Sequence, residues 1–328
     1  MNRRSVLLGA AAATLATIAA FAQTAGRKAR VLVIHSVPIA FGPYHGALKE
    51  RLAAHGFVEG KNLHLDAPVF TNVGIDWVRL QLPKHLAPAP DVILAFTTQL
   101  AHAAMNEAPK VPVVFAWVSD PVKAGLAKDY GRPGVNATGV SNRFVEVAVK
   151  RLELLRELSP KLKRVAVVGP TYQPDGAAAM AALRAASPDF GLQLIEVSTG
   201  LGNQVQELRH AIGKGAEAVL PLYIFSAFGA VATGQEIAQL CLAHRIPVVF
   251  AESEMVEIGG LISYGTNLVD EVRRAADILA RVLRGTKPQD IAIDQVSNFE
   301  LAINLKTAKH LKLRVPPAVL ARAGRVIQ

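Results

Sequence analysis

The chain contains a single cysteine, Cys241, in 328 residues, so an intramolecular disulfide is excluded. No second thiol is available to help the nine histidines, which are scattered and never fall into HExxH or related spacing. A metal centre is therefore not expected. The GxGxxG fingerprint of dinucleotide binding is also missing: the nearest stretch, GRPGVNATG, has the wrong spacing and contains a proline. There is no GxxxxGK[ST] phosphate loop and no GxSxG elbow for a nucleophilic serine. Without triad, metal site or cofactor loop, nothing positive supports an enzyme, and no cofactor is expected. Aromatic residues make up only 6% and charged residues 19%, against 51% hydrophobic. That balance excludes a disordered chain. The net charge of +10 is spread along the chain rather than gathered into a basic block with interleaved aromatics, so no nucleic-acid surface is read from it.

What is present begins at the N-terminus. Asn2, Arg3, Arg4 and Ser5 form a short positive head, and VLLGAAAATLATIAAFA follows without a charge. Ala20-Phe21-Ala22 places small residues where a signal peptidase reads, so residues 1–22 read as a cleaved signal peptide. The paired arginines also fit a twin-arginine signal. The apolar stretch is short and Ala-rich for a membrane anchor, and Gln23 rather than Cys follows it, which excludes lipid anchoring there. No later run is long enough to span a bilayer. The expected location is the periplasm, and the expected state is a soluble monomer.

From Arg30 onward, short β-rich runs alternate with helical ones. RVLVIHS, NLHLDAPVF, DVILAF and VPVVFAW read as strands; YHGALKERLAAHGF, DWVRLQLPKHLA and TTQLAHAAMNEA read as helices. Near-continuous apolar strands in this rhythm imply a parallel sheet covered on both faces. The rhythm restarts after RPGVNATGVSN, a Gly/Pro/Asn-rich crossover with a short β segment. VEVAVKRLELLRELSP is a strongly amphipathic helix stopped at Pro160, and KRVAVVG opens a second βα series that runs to IPVVFAE. The fold class is thus α/β, with two Rossmann-like lobes that have parallel sheets. Lobe 1 takes residues 30–140 plus about 263–296, and lobe 2 takes 141–262 plus about 297–328. A cleft at the carboxyl ends of the strands is where such folds bind ligands.

The strand ends carry hydroxyl-rich loops: Ser36, then Thr97-Thr98-Gln99, Ser119-Asp120-Pro121, and Ser253. Thr97 and Ser119 or Asp120 suit helix N-caps, with Pro121 at the first helical position. Exposed N–H groups at such helix starts also grip carboxylates. Aromatic residues gather at the same ends: Phe41, Tyr44, Phe96, Trp117, Tyr223, Phe225, Phe228 and Tyr264. They suit cleft walls that stack on a ligand, although Phe96 also suits a core.

GFVEGKNLHLD, PVVFAWVSDPVKAGL, RPGVNATGVSN, KRLELLRELSPKLKRVAVV and FELAINLKTAKHLKL together resemble the ABC-transporter substrate-binding proteins related to TrpX-type, tryptophan- and phenylalanine-binding proteins. The resemblance runs in order over essentially the whole mature chain. It implies a type I periplasmic-binding-protein fold with three crossover strands. It further implies a cleft that closes on a small molecule, and a membrane permease of an ABC transporter as partner. Carried over residue by residue, the family's Thr-Pro loop matches Thr97-Thr98-Gln99, its (Thr/Ser)-Asp-Pro loop matches Ser119-Asp120-Pro121, and its crossover Ser matches Ser141. The second-lobe loop that often reads Pro-Thr-Asp-Asn is here Pro221 to Ala227, with Tyr223 and Ile224 in place of the polar pair. Glu252 and Ser253 fall where an acidic or hydroxyl contact is common. The expected ligand is an aromatic or branched amino acid or a related carboxylate. Ser119, rather than Asp120, is expected to touch it directly. Two other classes share the features: a sensor-associated binding protein that presents its ligand to a receptor, and a secreted α/β enzyme with His35 or Glu252 as base.

Overall fold

The computed structural model describes residues 27–35, 42–68, 70, 75–199, 203–222 and 230–328. The expected signal peptide, Ser36, Phe41, Tyr223, Phe225 and Phe228 lie outside them. No helix of the described residues is long and apolar enough to cross a membrane.

The first lobe runs β1 (Ala29–Ile34), α1 (Pro43–Ala54), β2 (Leu63–Asp66), α2 (Ile75–Gln81), β3 (Val92–Phe96), α3 (Thr98–Glu107), β4 (Val113–Val118) and β5 (Ala137–Ser141). All pairings in its sheet are parallel. β3, β4 and β5 are buried along their whole length, as strands covered on both faces must be. β5 lies inside the RPGVNATGVSN stretch, so the crossover is itself a strand of the sheet. α2 is shorter than DWVRLQLPKHLA suggests, because Pro83 lacks an N–H and the chain continues as a 3-10 turn over Leu82–His85.

The second lobe contains α4 (Phe144–Leu158), β6 (Arg164–Gly169), α5 (Pro174–Ala186), β7 (Gln193–Ser198), α6 (Gln204–Gly213), β8 (Ala218–Pro221), α7 (Ala230–Ala243), β9 (Val249–Phe250), α8 (Glu254–Glu257) and β10 (Ile262–Gly265). The chain then returns to the first lobe through α9 (Leu268–Leu283), and β11 (Asp294–Gln295) pairs with β5 as the sixth strand of the first sheet. It ends in the second lobe with β12 (Glu300–Asn304), α10 (Leu305–His310), α11 (Pro317–Leu320) and β13 (Arg325–Ile327). The strand orders are β11-β5-β4-β3-β1-β2, β7-β6-β8 and β13-β12-β10-β9. A bridge between Val219 and Val248 links the last two groups. β10 pairs with β9 and antiparallel with β12, so residues 263–265 belong to the second sheet and the crossing falls just before α9. That places the return a few residues later than an assignment from 263 onward.

Three apolar clusters fill the molecule: one in the second lobe and one on each face of the first sheet. Val272, Ala275, Ala276 and Leu279 of α9 share a cluster with Leu48 and Leu52 of α1. This packing anchors the returning segment to the first lobe. Cys241 is buried in the second-lobe cluster.

Candidate functional site

A cavity lined by residues of both lobes lies between them, at the strand ends where open α/β folds bind ligands. It is bounded by the ends of β4, β5, β9 and β10 and by α4 and the start of α5. From the first lobe, Trp117 forms one wall. Its backbone has φ 56, and the β4–β5 register shifts between Phe115 and Val118. This bulge re-aims the indole toward the strand ends. The close approach depends on Gly139, where a Cβ would sit 2.0 Å from the Phe115 carbonyl oxygen. Trp117 packs against Phe96 at 4.5 Å between ring centroids and edge-on to Tyr44 at 5.2 Å. The Tyr44 hydroxyl is pushed up by burial and then by Glu254, Glu252 and Glu271, so Tyr44 stands where both lobes' carboxylates are felt.

Ser119 lines the cavity, but the Ser-Asp-Pro corner does not open a helix. Residues 121–125 form a turn that closes by Leu126 N–H donating to the Pro121 carbonyl at 2.8 Å, with Gly125 in the left-handed region. The Ser119 hydroxyl instead accepts from the Val145 N–H at 3.2 Å, at the start of α4. Asp120 keeps its capping role within the turn: it accepts from the Lys123 N–H at 3.0 Å and from the Tyr130 hydroxyl at 2.9 Å. Burial would raise its carboxyl, but those bonds and the Lys123 ammonium hold it below the usual range. It faces a neighbouring cavity, not this one. Ser141 is fully buried and donates to the Ser119 carbonyl at 2.7 Å, so it holds the loop and does not face the cavity.

Thr97, at φ 87, caps α3 by accepting from the Leu100 N–H. Thr98 donates across the cleft to Asp175 at 2.7 Å. Gln99 and Ser253 are half-buried and outside the cavity wall. The Ser253 hydroxyl makes no cap bond to α8.

The second lobe supplies charge. Arg151 of α4 is fully buried. Its Nη1 donates to the Pro221 carbonyl at 2.7 Å, and its guanidinium sits 5.5 Å from the centroid of the Phe144 ring. Asp175 begins α5, and Glu252 follows β9; both line the cavity. Burial raises the Asp175 carboxyl above its usual range, and the Thr98 hydroxyl opposes this. Asn142, Thr266 and Leu268 complete the wall at the crossovers.

Of the expected site residues, the fold therefore gathers Ser119 and Glu252 at the cavity, with Tyr44 and Thr98 behind its walls. Asn142, Phe144, Arg151, Asp175 and Thr266 were not singled out from sequence. Asp175 carried a signal of the same kind as Ser119, since it follows a strand and starts a helix. His35, the alternative base, is buried with neither ring nitrogen bonded. Burial, then His45, lowers it to about 4. Among the described residues no cluster could hold a metal ion.

The family model for ABC transporter substrate binding proteins matches residues 30–327, and the chain belongs to that family. A tyrosine-binding protein of Clostridioides difficile is 26% identical over 262 residues, covering 79% of this chain and 73% of the relative. A conserved domain protein from Vibrio cholerae superposes with a TM-score of 0.81 at 27% identity, covering 92% of this chain and all of the other. An ABC domain from Streptococcus pneumonia in complex with L-Trp gives 0.79 at 23% identity, with the same coverage. The fold is that of type I periplasmic binding proteins.

Proposed function

We propose that this chain captures an L-amino acid with an aromatic or branched side chain in the interlobe cavity. The lobes close on the ligand, which is then delivered to the membrane permease of an ABC transporter. The observation that carries this reading is the pairing of opposite charges with two aromatic walls in one space: Arg151, Asp175 and Glu252 beside Trp117 and Phe144. A zwitterion with an apolar side chain meets both demands at once. Asp175 and Glu252 take the ammonium group. Ser119, Asn142 and nearby N–H groups receive the carboxylate, and the two rings hold the side chain. Thr98 acts through Asp175. The tyrosine-binding relative and the L-Trp complex support an amino acid as the class. No covalent step belongs to this reading, and the N-terminal export signal would place the protein in the periplasm.

A thermal-shift panel tests it. L-tyrosine, L-tryptophan, L-phenylalanine and L-leucine are compared with tyramine, which lacks the carboxylate, and with 3-(4-hydroxyphenyl)propionate, which lacks the ammonium group. An amino acid at 100 times its Kd adds about 2.7 kcal/mol of stability, and the two analogues add far less. If no amino acid shifts the melting temperature, the ligand class is wrong.

A further inference from the structure

Glu271, in the first turn of α9, is the one acidic residue fully buried among the described residues. It does not line the cavity. Its Oε1 accepts from the Thr266 hydroxyl, while the Asn142 side chain and the Trp117 backbone N–H also act on it as donors. Oε2 has no hydrogen-bond partner. Those three donors belong to three separate pieces of the cavity wall: the end of β4, the first crossover after β5 and the second crossover after β10. One carboxyl therefore touches both crossovers and the aromatic wall.

Among the described residues, no cation is found acting on this group. α9 packs against α1, β3, β4 and β5, and β3, β4 and β5 contain no charged residue. α1 contributes Tyr44. α9 itself contributes Asp270, whose carboxylate is already bound by Arg274 at 2.8 Å, and Arg274 also reaches Asp294. A buried carboxylate without a counter-ion is costly, whereas the neutral acid is not.

We infer that Glu271 is the positioning residue of the ligand cleft: as the neutral acid it ties Thr266, Asn142 and Trp117 into the arrangement that receives a ligand. Burial raises it to about 8, against the pull of its three donors. The stability contributed by its proton is fully present below the ordinary carboxylate range and is lost as pH rises through about 8. Ionisation there puts an uncompensated charge behind the wall, so the cleft loosens in mildly alkaline solution.

Two readouts test this, and only the second rests on the amino-acid reading. The chain has two tryptophans, so Trp77→Phe leaves Trp117 as the reporter. Emission of the ligand-free protein, followed from pH 6 to 10, is expected to change with a midpoint near 8, and the change is absent when Glu271→Gln is added. If Trp77→Phe does not fold, the wild type is titrated and Trp117→Phe is subtracted. If Glu271→Gln does not fold, Glu271→Asp replaces it and displaces the midpoint. In the second readout, L-tyrosine binding is measured by calorimetry at pH 6.5 and pH 9. The wild type weakens about tenfold more than Glu271→Gln between these values, as one group with a midpoint near 8 dictates. The ligand's own titration is common to both proteins. Glu271→Leu binds weakly at both pH values. Trp117 emission that is flat across this range, or a Gln variant that follows the wild type, overturns the inference. Failure of L-tyrosine and the other amino acids to bind the wild type sinks the ligand class instead, and the emission titration still decides the role of Glu271.

Discussion

The first lobe faces the cleft with Trp117, backed by Phe96 and Tyr44, and with the uncharged Ser119. The second faces it with Arg151, Asp175 and Glu252 around Phe144. Both halves use the same strand–loop–helix unit, so the difference lies in what each loop does with its polar groups. In the first lobe, Asp120 is turned into its own corner by Lys123 and Tyr130, and the Ser119 hydroxyl is bound to α4. In the second, Asp175 reaches across to Thr98 of the other lobe. The apolar wall is held by ring packing within the first lobe, whereas the Asp175 carboxyl is dehydrated where the lobes meet. A ligand that brings countercharge is favoured there, because an uncompensated buried charge is costly.

The sharpest break of this comparison is in the charged half. Arg151→Ala removes a fully buried cation, strips the Pro221 carbonyl of its donor and leaves a cavity under Phe144. The expected loss is about 3 kcal/mol or more in a urea or guanidinium unfolding curve. A loss under about 1 kcal/mol would mean that the second lobe is not built around this charge.

Crossed substitutions come next in size. Asp175→Asn keeps an oxygen for the Thr98 hydroxyl but loses the charge, and it should weaken L-tyrosine binding by about 2 kcal/mol, roughly 30-fold. Binding of 3-(4-hydroxyphenyl)propionate should stay as it was. Trp117→Leu should cost L-tyrosine about 1 kcal/mol, with little effect on L-leucine. Calorimetry on the two variants with three ligands checks the pattern. Equal penalties across all ligands would erase the division of labour.

Much of this architecture was legible in the chain. VILAF and VVFAWV have the continuous apolar character of doubly covered strands, and the restart at KRVAVVG marks the second lobe. The site was less legible, for reasons of geometry. Arg151 reads as the polar face of an amphipathic helix, and only the folded chain brings the Pro221 carbonyl onto it. Glu271 meets Asn142 and Trp117 from a distant part of the sequence, so no local spacing announces it. The Ser-Asp-Pro corner reads as a helix start because its residue types suit one. The turn closed at Gly125 prevents this, and the Ser119 hydroxyl serves a helix that begins much later in the chain. Sequence pattern reports burial and capping within one element, whereas the site is made where elements from both lobes converge.

The smallest expected effect tests the supporting layer of the uncharged half. Ser141 is completely buried, and its hydroxyl donates to the Ser119 carbonyl at 2.7 Å and also meets the Tyr130 hydroxyl. Ser141→Ala leaves that carbonyl without its donor while adding little empty space, so stability should fall by about 1 kcal/mol. The loop has other restraints, since the Asn142 N–H binds the Val118 carbonyl at 2.9 Å and the Val145 N–H holds the Ser119 hydroxyl. Ligand preference should therefore stay fixed while the unfolding midpoint drops. If Ser141→Ala instead changed the order of affinities among L-tyrosine, L-tryptophan and L-leucine, Ser141 would belong to the recognition surface, and the first lobe would read its ligand with more than an apolar wall.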